Sequence, residues 1–187
     1  MNLSVVVPAW NEADSLSDLF AEIRAALSDW DGEWEVIVVD DGSTDGTFEV
    51  VRSENAKDSR IRGVKFRRNA GKAAGLAAGF AAARGAYVIT MDADLQDDPQ
   101  ELRPLMALLD QGWDMVSGWK QIRNDPVDKT LPSRFYNALV QRVSGLDLHD
   151  FNCGLKAYKR EVLPNLRLYG QMHRLLPVMA HWDGFKV

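Results

Sequence analysis

The sequence predicts an α/β fold in which a mostly parallel central sheet is flanked by helices. Short runs rich in β-branched residues alternate with stretches whose apolar residues recur at helical spacing. Two of the predicted strands run directly into clusters of aspartate. Strands that alternate with helices are joined by right-handed crossovers, and this gives a parallel sheet with both faces covered.

The first strand and the first helix follow from local patterns. Pro8 and the polar residues after it end a β-branched run that spans 3–9. The stretch 13–27 predicts a helix because its apolar side chains share one face, namely Leu16, Leu19, Phe20, Ile23 and Leu27. A strand followed by an amphipathic helix is the opening unit of an α/β sheet.

The alternation continues up to residue 119. Alanine-rich 71–84 predicts a helix whose small residues permit close packing against a sheet. Pro99 opens a further helix at a position where proline is tolerated, with Asp97 and Asp98 as its predicted caps. The other predicted elements are strands at 34–39, 61–66, 87–91 and 113–118 and a helix that is capped by Thr44 or Asp45 and ends near Asn55.

The chain changes character after residue 119. Residues 120–132 are polar, mixed in charge and broken by two prolines, which predicts a mobile loop. Residues 133–143 predict a helix, and residues 184–187 indicate the start of a strand. We therefore divide the predicted single domain into a first half, 1–119, and a second half, 120–187.

Composition limits the class of protein. A chain of 187 residues favours one domain, and its net charge of −5 argues against general nucleic-acid binding. The single cysteine, Cys153, cannot form an internal disulfide, which fits a reducing compartment. We expect no secretory leader, because residues 1–4 carry no basic segment and the apolar run after them is too short, and no apolar run approaches the ~18 residues of a membrane span. We expect this chain by itself to be soluble or peripheral to a membrane.

The cluster Asp92-Ala93-Asp94 predicts a cation site. Residues two apart in an extended segment point the same way, so Asp92 and Asp94 can face one cation, and Gln96 can add a third oxygen. Mg²⁺ typically takes one or two carboxylates together with substrate phosphates. The alternative is a solvated acidic loop that caps the following helix. The position at a strand end favours the cation site.

The second cluster, 40–47, predicts a contact with a base or ribose, since a carboxylate at a strand end can accept such hydrogen bonds. Three other sites are excluded. An EF-hand that starts at Asp41 needs glutamate where Arg52 stands, a phosphatase pattern needs aspartate at Val39, and no dinucleotide fingerprint is present. A turn with a helix cap explains 43–47, but it does not explain two adjacent aspartates.

A third motif, Asn69-Ala70-Gly71-Lys72, matches a phosphate-binding loop only in part. Ala73 replaces the required serine or threonine, and the upstream glycine is missing. Lys72 is therefore either a surface lysine at a helix start or a ligand contact.

The order of these motifs resembles the family 2 glycosyltransferases of the GT-A fold, a Rossmann-like α/β fold. Within that family the chain is similar to the polyprenyl-phosphate glycosyltransferases, which include dolichol-phosphate mannose synthases and bacterial undecaprenyl-phosphate sugar transferases. The segments that carry the resemblance are 7–12, 39–47, 69–72, 92–96, 117–120, 131–134 and 149–158. The first half is shared widely by GT-A enzymes, and the second half is typical of the lipid-phosphate branch.

The resemblance implies a donor site for a GDP- or UDP-linked sugar. It places Pro8, Trp10 and Glu12 in the nucleotide pocket, Asp41 on the base or ribose, and Ala93 against the nucleotide. It also implies that Mg²⁺ or Mn²⁺ on the diphosphate is held by three residues, namely Asp92, Asp94 and Gln96.

The resemblance further implies an acceptor site for a polyprenyl phosphate at a membrane surface. Asp150 would face the donor sugar, and the lipid phosphate would be gripped by Lys120, Lys129, Ser133 and Arg134. Asp94, Asp150 and Arg134 would be the catalytic residues of an inverting transfer. A lipid phosphate is already anionic, so the reaction needs no strong base, although Asp150, His149 and His173 are possible bases.

The family also implies a longer protein. We expect this chain to be truncated at its C-terminus and the full-length protein to lie at, or be anchored to, the cytoplasmic face of a membrane. Gln171–Arg174 is similar to the Gln-x-x-Arg element of processive synthases, but Leu175 replaces the tryptophan that follows there. Three alternatives remain open: transfer to a glycan or protein hydroxyl, a nucleotidyltransferase, and a non-catalytic sugar-nucleotide-binding module.

Overall fold

The computed structural model describes residues 1–119 and 140–187 of the chain. Within those residues one sheet contains six strands in the order β3-β2-β1-β4-β6-β5. The strands are β1 Leu3–Ala9, β2 Trp34–Asp40, β3 Ile61–Lys65, β4 Tyr87–Thr90, β5 Met115–Ser117 and β6 Lys156–Lys159. β1 pairs in parallel with β2 and β4, and β2 pairs in parallel with β3. The predicted α/β class with a mostly parallel sheet is confirmed.

Helices cover both faces of the sheet. Side chains alternate along β1, so that Val5 and Val7 pack on one face and Val6 packs on the other. The first face is covered by α1 (Ala13–Ala26), α2 (Thr47–Lys57) and α4 (Leu102–Asp110), and the second by α3 (Lys72–Ala82) and α6 (Leu176–Trp182). Residues 140–144 form a further helical segment, α5. Two buried faces explain why the central strands are continuous apolar runs.

The strand β6 was not predicted. It lies between β4 and β5 and is antiparallel to both, with Thr90 paired to Lys156 and Ser117 paired to the same residue on the other side. Its residues, 156–159, contain two lysines, and this composition does not indicate a central strand. The second half of the chain thus contributes directly to the sheet that carries the aspartate clusters.

Several local predictions need correction. Asp98 does cap the turn that starts at Pro99, because its Oδ1 accepts from the Gln100 N–H, but Asp97 accepts from the Asp92 N–H instead. A 3₁₀ turn, Pro99–Glu101, precedes α4. The residue immediately before α2 is Gly46, which has a φ of 96°, and the predicted cap Asp45 does bond the start of the helix, because its Oδ1 accepts from the Thr47 N–H at 3.0 Å.

The chain end also differs from the prediction. Residues 184–187 form no strand, although the Lys186 carbonyl accepts from the N–H groups of Asp114 and Met115. The predicted loop at 120–132 and most of the predicted helix at 133–143 lie outside the described residues. Across the ranges 1–119 and 140–187, no helix is long and apolar enough to cross a bilayer.

Candidate functional site

The carboxyl ends of β1, β2 and β4 surround a cleft of about 440 Å³. The cleft combines residues from all three strand ends with the loop before α3. Of the predicted site residues, it is lined by Pro8, Trp10, Glu12, Asp41, Asp92, Ala93 and Asp94. This is the edge at which open α/β sheets bind their ligands, and the structure brings these residues together there.

The loop after β1 is locked to the loop after β2. The N–H of Asn11 donates to Ser43 Oγ at 2.9 Å, the N–H of Glu12 donates to Thr47 Oγ1 at 2.9 Å, and a third such bond joins the same two loops. The hydroxyl-rich motif at 43–47 therefore positions the segment that carries Trp10. The Trp10 side chain remains 56% exposed at the cleft, so a ring can stack on it.

The two adjacent aspartates have different structural roles. Asp40 Oδ1 accepts from the Ser43 N–H at 2.9 Å and closes the turn. Asp41 is buried, and its two carboxylate oxygens accept from the N–H groups of Ala70 and Gly71 at 2.7 and 2.8 Å. Asp41 therefore fixes the loop that leads into α3. Its contact with a base or ribose stays a prediction.

Gly42 allows the loop after β2 to approach the loop that leads into α3. Its φ is +75°, and a Cβ there would lie 2.5 Å from the backbone carbon of Arg68. Both the left-handed conformation and the close approach favour glycine. Gly42 is therefore needed both for the tight turn after β2 and for the close contact with the loop before α3.

Lys72 is the first residue of α3, and its Nζ pairs with Asp92 Oδ1. Both side chains are partly buried, at 35% and 25% exposure. Lys72 is therefore neither a free surface lysine nor a residue remote from the acidic cluster. Asp41 holds the loop, the loop positions Lys72, and Lys72 contacts Asp92.

The segment after β4 turns sharply back on itself. The Asp92 N–H donates to Asp97 Oδ2 at 3.0 Å, the Gln96 N–H donates to Asp94 Oδ1 at 3.1 Å, and Leu95 has a positive φ of 61°. Asp94 is exposed at the cleft. Gln96 is also exposed, but it is not among the described residues that line the cleft. Its role as a metal ligand stays a prediction.

The donor set fits a divalent cation that is completed by substrate. Asp92 and Asp94 supply two carboxylates at one cleft. In the part of the chain that the structure describes, no group of three or more His, Cys, Asp or Glu residues is placed to hold a metal ion. Mg²⁺ is commonly bound by two carboxylates, with phosphate oxygens and water in its remaining coordination positions.

Basic groups collect behind Asp92 around a small cavity of about 20 Å³, which is lined in part by Lys72, Lys156, His173 and Arg174. The pKa of His173 is lowered to about 4, mainly by burial and further by the three cations. Burial also lowers the pKa of Lys156 to about 8, and its ammonium donates to the Cys153 carbonyl. This cluster places positive charge and a neutral imidazole next to an acidic cleft.

His173 was named in the sequence analysis as a possible base, and its neighbour Lys156 was not. Lys156 and Gly154 belong to the motif 149–158, and no role was predicted for either. Lys156 lies in the unpredicted strand β6, which carries it into the site. The signal available in the sequence was a single lysine within the otherwise uncharged run 153–158.

Other predicted residues lie away from the cleft or outside the description. Asp150 is buried, its Oδ1 accepts from the Asn152 N–H at 2.9 Å, and it does not line the cleft formed by the described residues. His149 stacks on Trp119, with ring centroids 4.4 Å apart. The predicted phosphate-gripping residues lie outside the described residues, namely Lys120, Lys129, Ser133 and Arg134.

Comparison with known proteins identifies the family. Residues 4–167 match the sequence model of glycosyl transferase family 2. The chain belongs to this family. With the sheet order and the cleft described above, its fold is the GT-A arrangement that the resemblance implied.

Two curated relatives act on lipid phosphates according to their names. The chain is 37% identical over 180 residues to a dodecaprenyl-phosphate galacturonate synthase from Rhizobium johnstonii, covering 95% of this chain and 53% of the relative. It is 35% identical over 180 residues to an undecaprenyl-phosphate 4-deoxy-4-formamido-L-arabinose transferase from Salmonella paratyphi A, covering 96% and 55%. The chain thus spans about half the length of the curated relatives it matches.

Solved structures with the same fold include two complexes with nucleotide sugars. A mannosyltransferase from Pyrobaculum calidifontis, bound to GDP-Man and Mn²⁺, has a TM-score of 0.72 at 27% identity and covers 99% of this chain and 53% of its own. A glucosyl-3-phosphoglycerate synthase from Mycobacterium tuberculosis, bound to Mn²⁺, UDP-glucose and phosphoglyceric acid, has a TM-score of 0.75 at 25% identity and covers 98% and 66%.

Proposed function

We propose that this chain is the catalytic domain of a metal-dependent enzyme that transfers a sugar from a GDP- or UDP-linked donor to a polyprenyl phosphate. The observation that carries the proposal is the cleft at the carboxyl ends of β1, β2 and β4, where Asp92 and Asp94 meet a cluster of basic groups. A diphosphate needs both features, since it binds a cation through its oxygens and cationic side chains directly.

The donor fits the cleft by its chemistry. Trp10 offers an exposed ring for the base, and Asp92 and Asp94 would hold Mg²⁺ or Mn²⁺ on the diphosphate. A cation held there would neutralise the negative charge that develops on the departing nucleoside diphosphate. Lys72 lines the cleft and pairs with Asp92, Arg174 lines the adjoining cavity together with Asp92, and both add positive charge.

The acceptor is proposed to attack without a strong general base. An acceptor phosphate oxygen forms the new bond to the anomeric carbon as the bond from that carbon to the nucleoside diphosphate breaks, and the leaving group takes the electron pair. In-line attack of this kind inverts the anomeric configuration. A phosphate acceptor is already anionic near neutral pH, so its oxygen can attack without first losing a proton to a side chain.

An apolar groove supports a lipid acceptor. The short helix Met172–Leu175 presents His173 and Arg174 to the cavity behind Asp92, while its first and last residues line a groove of about 250 Å³. Trp182 of α6 also lines this groove and is 64% exposed. One short helix therefore joins a phosphate-binding environment to an apolar one, as a polyprenyl phosphate requires. We propose that the prenyl chain occupies the groove and that the enzyme works at a membrane surface.

The first test is a thermal-shift panel of UDP, GDP and their sugars, each with and without Mn²⁺. A ligand that binds only the native state raises the melting temperature by mass action. We expect a Mn²⁺-dependent shift with one nucleotide. The absence of any shift across the panel would contradict the donor site.

The second test follows the products. With the donor identified by the first test, we expect release of nucleoside diphosphate that depends on polyprenyl phosphate, together with a sugar-linked lipid of inverted configuration. Release with a glycan acceptor instead would indicate a hydroxyl-directed transferase, and pyrophosphate release would indicate a nucleotidyltransferase. Donor binding without turnover with any acceptor would support a binding module.

The groove has its own test. Trp182→Ala should raise the KM for a long-chain polyprenyl phosphate several-fold and leave the Kd of the nucleotide unchanged. Tyr169→Ala is the matched control, because Tyr169 is 68% exposed and is not among the described residues that line the groove. Equal effects of the two variants would contradict a prenyl chain in the groove.

A further inference from the structure

We propose that Gly154 is a positioning residue for the Asp92 carboxylate. The turn before β6, residues 152–155, lies so close to Asp92 that any side chain at 154 would displace the carboxylate. The inference rests on the proposed function for its catalytic meaning, because it assigns Asp92 to the cation. Its geometric part stands on the contacts alone.

The contact leaves no room for a methyl group. A Cβ built on Gly154 would lie 2.4 Å from Asp92 Oδ2, 2.5 Å from Cγ and 2.6 Å from Oδ1. Carbon and oxygen atoms that are not bonded normally stay beyond about 3 Å, since the optimal separation of heavy atoms is about 3.5–4.0 Å. The backbone of Gly154 does not have a positive φ that would strain a larger residue. The neighbouring carboxylate is therefore what requires glycine here.

The turn cannot move back to make space. Thr90 Oγ1 donates to the Gly154 carbonyl at 2.7 Å, the Gly118 N–H donates to the Leu155 carbonyl at 2.9 Å, and Lys156 Nζ donates to the Cys153 carbonyl. These bonds tie three consecutive carbonyls of the turn to β4, to the end of β5 and to β6. Buried carbonyls that lost such partners would cost free energy, so the backbone is held in place.

Asp92 has two further contacts. Its Oδ1 pairs with Lys72 Nζ, and its backbone N–H donates to Asp97. The carboxylate therefore contacts an ammonium group in addition to lying against the backbone of Gly154. Because the side chain of Asp92 is the movable part of this contact, a substitution at Gly154 should rotate the carboxylate rather than unfold the sheet.

The consequence for function is a displaced metal ligand. A cation bound through oxygen atoms has short contacts, about 2.0–2.1 Å for Mg²⁺, so a shift of an ångström removes a ligand. Gly154→Ala should therefore raise the Kd of Mn²⁺, measured by electron paramagnetic resonance in the presence of the nucleoside diphosphate, by about tenfold or more. The melting temperature should stay within a few degrees of the wild type.

A matched control separates this effect from a general cost of replacing glycine. Gly112 has a φ of +99°, and a Cβ there meets nothing within 4 Å. Gly112→Ala should lower stability through backbone strain and leave the Kd of Mn²⁺ unchanged. An unchanged Kd in Gly154→Ala, with wild-type protein that binds Mn²⁺, would overturn the proposal.

A double-mutant cycle without metal tests the contact between Gly154 and Asp92 even if the proposed function fails. Asp92→Ala removes the carboxylate that a Cβ at 154 would meet. We expect Gly154→Ala to lower the melting temperature by a few degrees when Asp92 is present and not to lower it in the Asp92→Ala background. The same shift in both backgrounds would overturn the positioning role. Absence of Mn²⁺ binding by the wild type would instead refute the donor site.

Discussion

Replacing Asp41 by asparagine tests how the loop before α3 is held. In the wild type, two carboxylate oxygens accept from two backbone N–H groups at 2.7 and 2.8 Å in a buried position. Asparagine keeps one acceptor oxygen and turns an NH₂ group toward the other N–H. A buried donor left without its partner costs roughly 1–3 kcal/mol, and a bond to a charged acceptor is weakened as well. We expect the free energy of unfolding to fall by about 2–4 kcal/mol.

The measurement is denaturant unfolding at pH 7, with the midpoint and the slope fitted for each variant. Asp98→Asn is the matched control. Asp98 accepts one N–H as an exposed cap, and asparagine is an equally good cap, so this variant should change stability by less than about 0.5 kcal/mol. Because the loop also carries Lys72, Asp41→Asn should weaken nucleotide binding too. Stability of Asp41→Asn equal to that of the control would refute the assigned role of the carboxylate.

The other predictions concern the metal site and two perturbed pKa values. Asp94→Asn should abolish turnover and the Mn²⁺-dependent part of nucleotide binding. Because Asp94 is exposed, the melting temperature should fall by no more than a few degrees. Unchanged activity would contradict the metal site. The pKa of Asp58 is lowered to about 2, first by its hydrogen bond to Arg60. Because this pKa lies below the unfolded value of 3.8, the stabilisation is present above about pH 4 and is lost as the pH falls toward 2. Asp58→Asn should thus cost about 1–2 kcal/mol at pH 7, after allowance for partial solvent screening, and much less at pH 2. An equal loss at both pH values would count against the pairing. For His173, an NMR titration should give a pKa below 5, and a midpoint near 6.5 would show that the partly buried ring is more accessible to water than described.

The sequence predicted the first half of the fold well because its signals are local. The run that forms β1 and the helical spacing in α1 gave those elements within a residue of their observed bounds. The cation cluster and the nucleotide cluster were each placed at a strand end, where open α/β sheets bind their ligands. Asp41, Asp92 and Asp94 do line one cleft.

The second half was predicted poorly, because its elements depend on partners distant in the chain. A run of four residues with a lysine at each end does not indicate a strand, and β6 forms because β4 and β5 leave a gap that it fills with hydrogen bonds on both sides. Lys156 is carried into the site by that pairing. The role of Asp97 was wrong for a similar reason, since its partner is set by the fold of the turn and not by the sequence spacing.

The amino-acid sequence by itself determined the class of sheet, the family and the residue types of the proposed donor site, because periodicity and strand-end motifs are properties of short segments. Tertiary structure alone decided which groups touch. It placed the Asp41 carboxylate on the N–H groups of the loop at 70–71, Lys72 on Asp92, and the backbone of Gly154 against the same carboxylate. Contacts between segments far apart in the chain depend on distance and packing, and neither is encoded in the spacing of a motif.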